Sequence, residues 1–117
     1  MPEMKVDDVF ALNQALIAMR NDRLPLRVAS WLVLVRKAFK PTINLVYEKR
    51  NEIIKKYCKE GEITVAREND AAYKKEIDPY LEEMITVPAV QKIKRDAFEN
   101  VAISPASLES LEPMLED

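Results

Sequence analysis

The sequence has no histidine, one glycine and one cysteine among its 117 residues. The usual proton shuttle near neutral pH is therefore missing, because only histidine changes charge there with an unperturbed pKa. A single glycine, Gly61, cannot supply the positive φ angles that an all-β fold or a phosphate-binding loop needs. Cys58 has no partner for an intrachain disulfide, and we expect it to be partly buried near a helix end. These scarcities favour a helical protein in a reducing compartment.

Motifs for metal or cofactor chemistry are also missing. One cysteine without histidine excludes the common zinc arrangements, and no run of alternating aspartates builds a calcium loop. Paired acids occur at Asp7–Asp8 and Glu82–Glu83, but neighbouring carboxylates on a helix usually form a solvated face. We therefore expect no catalytic residues, no metal ligands and no cofactor, and predict that the protein is not an enzyme.

Composition and charge are those of a globular chain, with 48% hydrophobic residues, 32% charged residues and a net charge of −2. At this length residues 1–117 are expected to form a single domain. The charge balance gives no overall electrostatic reason for nucleic-acid binding, which leaves only local basic patches. The first ten residues lack the basic and apolar regions of a secretion signal, so we expect a cytoplasmic protein.

The stretch at 28–50 raises the question of a membrane segment. Its apolar run extends from 28 to 35 and ends at Arg36 and Lys37, whereas a membrane span needs about 20 apolar residues. Apolar residues then recur at spacings of three, four or seven as far as Tyr57, which is typical of one helix face. We therefore predict no membrane contact and a long helix that begins near Leu26 and bends at Pro41.

The first half of this helix is apolar on nearly every side. It is expected either to be buried all round or to be buried on one side and covered by a partner on the other. The sequence leaves both alternatives open. The predicted protein interface consists of Trp31, Leu34, Val35 and Phe39, and the partner would be another protein or a second copy of the chain.

Other helices are predicted on both sides of this one. The first helix is expected to start at a cap on Asp7 or Asp8 and to close at 20–25, which makes an antiparallel pair with the second. Gly61 is placed at a helix C-cap, and a third helix follows from Asn69 or Asp70, with a break at Pro79 as an alternative. A terminal helix is expected to have Ser104 as its cap, Pro105 at its first position and Pro113 shortening it.

Strand signals are weaker and lie between the helices. Ile63 and Val65 alternate with polar residues, and residues 84–98 are rich in β-branched side chains. The fold class predicted is therefore mainly α with a small β element: an antiparallel helix pair with a long bent second helix, a third helix, a short β-hairpin-like element and a C-terminal helix.

Two basic clusters remain as candidate contact sites. One comprises Arg36, Lys37 and Lys40, and the other comprises Lys92, Lys94 and Arg95. The second cluster is the candidate site for nucleic acid or an acidic partner, although solvated surface explains it as well. Interleaved aromatic residues for base stacking are absent from it, so nucleic acid is not the favoured partner.

The order of segments resembles a family of small proteins from tailed phages and prophages that is catalogued only as a domain of unknown function. The segments concerned are "RLPLRVASWLVLVRKAF", "YEKRNEIIKKY", "KEGEI" and "ISPASLESLEPML". Pro41 and Pro79 depart from its pattern. The resemblance implies a phage-encoded protein located in the cytoplasm of a bacterial host or in the virion. It carries over no catalytic residue.

The leading hypothesis is a structural or assembly protein that acts through helix contacts, and the alternative is a regulatory or counter-defence protein that binds a host protein or nucleic acid.

Overall fold

The computed structural model describes residues 2–20 and 23–117, and helices dominate them. The helices are α1 (Val6–Met19), α2 (Leu26–Lys56), α3 (Asp70–Leu81) and α4 (Pro105–Leu111). The strands are β1 (Glu3–Lys5), β2 (Met84–Thr86), β3 (Ile93–Lys94) and β4 (Leu115–Glu116). The prediction of a mainly α fold with a small β element is confirmed.

Helix α1 buries an apolar face built at spacings of three and four, from Val6 to Met19. It begins two or three residues earlier than a cap on Asp7 or Asp8 predicts, because Lys5 is at the N-cap position, and no side chain caps it. Asp7 and Asp8 lie in its first turn instead, where carboxylates suit the positive end of the helix dipole. The predicted closing segment at 20–25 contains Asn21 and Asp22, which lie outside the described residues.

Helix α2 runs through Pro41 without a break. Its 31 residues correspond to about 46 Å at the usual rise per residue, which accounts for the 48 Å longest dimension of the molecule. Proline removes the hydrogen bond to the carbonyl four residues back, here that of Lys37. Pro41 and Lys37 are both exposed, so water can satisfy this carbonyl. The position of the proline on the solvent side explains why the helix continues.

Helices α1 and α2 are antiparallel, as predicted. Asn13 Nδ2 donates to Tyr47 Oη at 3.0 Å, and the Phe10 ring meets the Tyr47 ring edge-on at 4.9 Å. At the other end of α1, Arg20, which directly follows the helix, lines the same groove as Arg36 from the first half of α2. Positions later in α1 therefore lie beside positions earlier in α2. Together with α4 and both ends of the chain, these two helices enclose the main core. Its fully buried side chains include Leu12, Val35, Phe39 and Leu111.

The β element differs from the predicted hairpin. Strand β2 pairs with β1 in antiparallel orientation, with Met4 opposite Ile85, and β3 pairs with β4 in parallel, with Ile93 opposite Leu115. The two strands at 84–98 therefore pair with opposite ends of the chain and not with each other. β-Branched residues identify a strand but carry no information on its distant partner, which explains the error.

The segment between α2 and α3 also corrects two expectations. Gly61 has a φ of 79° in a turn closed by a hydrogen bond from Glu62 N to Lys59 O. It is not the cap of α2, because that helix ends at Lys56 and Tyr57 is its C-cap residue. The predicted strand at Ile63 and Val65 is reduced to one isolated bridge from Val65 to Cys58, and Ile63 is exposed.

Helix α3 is a single helix, since Pro79 lies in its last turn and does not break it. The side chain of Glu76 joins it to the end of α2 by accepting hydrogen bonds from Lys56 Nζ and Tyr57 Oη. The bond from Lys56 is the main reason that the pKa of Glu76 is lowered. Glu76 in turn raises the pKa of Lys56 and that of Tyr57, both chiefly by hydrogen bonding.

Helix α4 has the predicted start. The Ser104 hydroxyl accepts a hydrogen bond from the Ser107 backbone N–H at 3.1 Å, and Pro105 occupies the first turn. The helix ends at Leu111, and Pro113 lies in a short 3₁₀ segment, so the expected shortening is confirmed.

Candidate protein-interaction surface

The four residues predicted as an interface take two different positions. Trp31, Val35 and Phe39 are buried in the chain's own core, whereas Leu34 is 59% exposed. A buried side chain can contact a partner only if the packed core opens. Of the four, only Leu34 therefore lies on an accessible surface, which differs from the prediction for the other three.

Trp31 shows what holds this part of α2 in the core. Its Nε1 donates a hydrogen bond to the backbone oxygen of Gln91 at 2.7 Å, and its ring lies 6.0 Å from that of Phe98 at an interplanar angle of 84°. The polar end of the indole is therefore satisfied inside the protein, as a buried tryptophan requires. The alternatives left open for Trp31 are resolved in favour of the protein's own core.

The solvent side of α2 carries several exposed aliphatic residues in a row. The exposed fractions are 83% at Leu26, 43% at Val33, 59% at Leu34 and 64% at Leu45. Pro41, which is also exposed, lies between the last two. We call these five residues the aliphatic face. Leu34, Pro41 and Leu45, spaced seven and four positions apart, lie along one side of the helix, Leu26 extends this row eight positions before Leu34, and Val33 flanks it. An exposed row of this kind is typical of a protein-contact site.

Charged residues lie near the two ends of the aliphatic face. Arg27 lies seven positions before Leu34, and Glu52 lies seven positions after Leu45. Both are exposed, and neither has an ion-pair partner within residues 2–20 and 23–117. Arg27 therefore supplies a positive charge beside Leu26 at one end of the aliphatic face, and Glu52 supplies a negative charge two turns beyond Leu45 at the other.

A groove of about 360 Å³ lies between the end of α1 and the middle of α2. Its cationic residues are Arg20, which directly follows α1, and Arg36, Lys37 and Lys40 from α2. Its apolar residues are Leu16, Ile17 and Ile43, and the amide side chains of Asn13 and Asn44 complete the lining. We call this the basic groove. The antiparallel packing of α1 on α2 creates it, because Arg20 is distant from the other three in sequence.

The four cations of the basic groove have no carboxylate beside them in the described part of the chain. They take part in none of its ion pairs, and no acidic residue among 2–20 and 23–117 lines the groove. Cations gathered in a concave surface concentrate a positive potential there, even though the whole chain is slightly acidic. The sequence pointed to Arg36, Lys37 and Lys40 as a cluster, but the contribution of Arg20 depends on the packing and was missed.

The second basic cluster is only partly available. Lys92 and Lys94 are exposed on either side of the buried Ile93, as expected for a strand. Arg95, in contrast, forms ion pairs with Glu112 and with Asp117. The hydrogen bonds that Arg95 donates, first of all those to Glu112, raise the pKa of Arg95. Two carboxylates therefore offset the charge of this cluster, and a polyanion would have to compete with them.

The remaining candidates for chemistry have ordinary structural surroundings. Cys58 is half-buried at the end of α2, and its Sγ donates to the Ile54 carbonyl oxygen at 3.2 Å, as expected for a residue near a helix end. Within the described ranges, no three acidic or cysteine side chains come together in a way that could hold a metal ion. None of the helices described is long and apolar enough to cross a membrane.

Comparisons with known proteins give no further guide. No family model, no curated protein and no solved structure matches the chain.

Proposed function

We propose that this chain is a non-enzymatic structural or assembly protein that acts through helix-mediated contacts, and that its partner is a second copy of itself. The observation that carries the proposal is the aliphatic face of α2, exposed along the longest helix and bounded by opposite charges. If the resemblance to tailed-phage proteins holds for this chain, such contacts would serve phage assembly in the host cytoplasm or the virion.

The aliphatic face is complementary to itself when two α2 helices lie antiparallel. If Leu34 of one copy is opposite Leu45 of the other, the spacing brings Arg27 opposite Glu52 at both ends. A two-fold arrangement makes each of these contacts twice. Apolar residues in the centre and ion pairs at the edges are the usual pattern of paired helices. A parallel pair in register, with Leu34 opposite Leu34, would instead place Arg27 beside Arg27 and Glu52 beside Glu52, and these like charges would repel.

The contact involves one helix from each copy, which limits its strength. A strip from Arg27 to Glu52 is about 38 Å long at the usual helical rise. A single pair of helices buries less area than a standard interface of about 1,600 Å². We therefore expect a reversible dimer with a dissociation constant of roughly 10–100 μM, in the range of weak interfaces.

Sedimentation equilibrium from about 10 μM to 1 mM tests this proposal, because the range brackets the expected dissociation constant. Leu34→Glu should prevent dimerisation by placing a charge in the apolar centre. Ile63→Glu is the matched control, since Ile63 is equally apolar and 91% exposed but lies outside α2. Circular dichroism should show both variants folded.

A charge exchange tests the antiparallel arrangement separately. Arg27→Glu and Glu52→Arg should each weaken the dimer, and the double variant should restore it, because the exchanged charges attract again. A monomer at the highest concentration, or equal effects of Leu34→Glu and Ile63→Glu, would refute self-association through α2. Dimerisation without rescue in the double variant would refute the arrangement.

The alternative is a regulatory or counter-defence protein that binds nucleic acid or a host protein through Lys92, Lys94 and Arg95. The exposure of the two lysines on one side of β3 supports it, and the ion pairs of Arg95 weigh against it. Salt-dependent binding of a DNA or RNA duplex that is lost on changing Lys92 and Lys94 to alanine would favour this function.

A further inference from the structure

The basic groove is a second candidate binding surface that self-association does not use. The proposed pairing is centred on Leu34, Pro41 and Leu45, whereas the groove lies on the side of α2 that faces α1. Lys37 connects the two, because it lies three positions after Leu34 and lines the groove. A molecule in the groove can therefore be bound by a monomer or by a dimer.

The lining of the groove combines two kinds of chemistry. Arg20, Arg36, Lys37 and Lys40 supply positive charge around it. Leu16, Ile17 and Ile43 supply an apolar surface, and Ile17 remains 46% exposed. A ligand that satisfies both must carry carboxylates or other anions together with aliphatic groups.

We propose that the basic groove binds an acidic amphipathic segment of another protein. Its glutamate or aspartate side chains would pair with the four cations, and its leucine-like side chains would cover Ile17 and Ile43. At about 360 Å³ the groove holds a few side chains, so it fits one or two turns of such a segment. This site goes beyond the proposed self-association and does not depend on it.

A protein segment fits these surroundings better than nucleic acid or an anionic membrane. None of the described residues that line the groove is aromatic, so a base would find no ring among them to stack on. Glu48 is exposed one helical turn beyond Asn44 at the end of the groove, and Glu52 follows one turn later. A continuous phosphate backbone or a flat lipid surface would meet these carboxylates. A protein segment can end before them or place a basic residue against them.

Fluorescence anisotropy with a synthetic probe tests the proposal. The probe is a labelled 18-residue helix of leucine and glutamate, and its control has glutamine in place of glutamate. With about 1 μM probe and protein below its self-association range, binding should weaken at least tenfold between about 50 and 500 mM NaCl, since salt screens exposed charges. The glutamine probe should bind at least about tenfold more weakly than the glutamate probe.

Two charge-matched variants locate the site. Arg36→Glu with Lys40→Glu should weaken binding of the glutamate probe at least about tenfold, because two attractive contacts become repulsive. Lys92→Glu with Lys94→Glu changes the net charge equally and should leave binding within about twofold. Equal effects of the two variants would overturn the proposal, as would equal binding of the two probes.

Two further ligands decide between classes of partner. A DNA duplex and vesicles of phosphatidylglycerol are titrated under the same conditions. Tighter binding of either one that is lost in the Arg36→Glu, Lys40→Glu variant would overturn the assignment to a protein segment. Failure of the glutamate probe alongside a clear dimer in sedimentation would overturn this proposal alone. A monomer that binds the probe would overturn self-association alone.

Discussion

Replacement of Phe39 and Leu34 by alanine compares two positions on α2 that sequence reasoning had treated alike. Phe39 is 1% exposed and belongs to the main core, whereas Leu34 is 59% exposed. Phe39→Ala removes a fully buried ring and leaves a cavity, which typically costs about 3–5 kcal/mol in free energy of unfolding. Leu34→Ala removes a side chain that is already mostly hydrated and should change it by less than about 0.5 kcal/mol.

Urea unfolding followed by circular dichroism measures both changes. With a denaturant slope of about 1–2 kcal/mol per molar for a chain of this size, Phe39→Ala should lower the midpoint by roughly 1.5–5 M. Because domains of this kind have a total stability of about 5–15 kcal/mol, the variant should still fold, with little margin. Leu34→Ala should leave the midpoint nearly unchanged.

A destabilisation by Phe39→Ala of less than about 1 kcal/mol would refute its placement in the core, since a filled core cannot lose a ring at so small a cost. A loss of stability in Leu34→Ala as large as that in Phe39→Ala would refute the exposure of Leu34. Either result would also remove the basis for the aliphatic face.

Two further predictions concern the contact between α2 and α3 and the N-terminal cap of α4. The hydrogen bond from Lys56 lowers the pKa of Glu76, so it stabilises the folded protein fully at pH values above the ordinary glutamate pKa. This stabilisation is lost as the pH falls through the lowered pKa of Glu76. Glu76→Gln should therefore reduce the free energy of unfolding at neutral pH, and the gap between variant and wild type should shrink towards about pH 3. Urea unfolding midpoints measured across the acid range test this. Ser104→Ala should cost about 1 kcal/mol, because the Ser107 N–H loses its cap, whereas Ser110→Ala, which removes a bond inside α4, should cost less. Equal midpoints for the two serine variants would contradict the cap.

The helices could be predicted from the sequence because their determinants are local. Apolar spacing identifies α2, and the Ser104–Pro105 pair marks the start of α4 within one turn. Strand pairing could not be predicted, because the partners of Ile85 and Ile93 are at the two ends of the chain. The signal that identifies a strand, β-branched composition, does not specify its register with a distant segment.

The candidate surfaces were predictable only in part. Around Trp31 the helix is apolar on nearly all sides, so composition cannot tell that Val35 turns inward and Leu34 outward. That choice is made by α1 and by the contact of Trp31 with Gln91. Similarly, Arg36 was visible as part of a basic cluster, whereas Arg20 joins it only through the antiparallel packing of two helices.

The pairing of both chain ends has a consequence for how the protein opens. Residues near the ends of a chain often fray, but here β1 and β4 pair Glu3–Lys5 and Leu115–Glu116 with the segment that contains β2 and β3. Met4 and Leu115 are buried in the same core as α1 and α2. Releasing either end would expose part of that core, so local fraying is coupled to global unfolding. Because these short strands pair the chain ends with the core, we expect the largely helical chain to unfold as one cooperative unit.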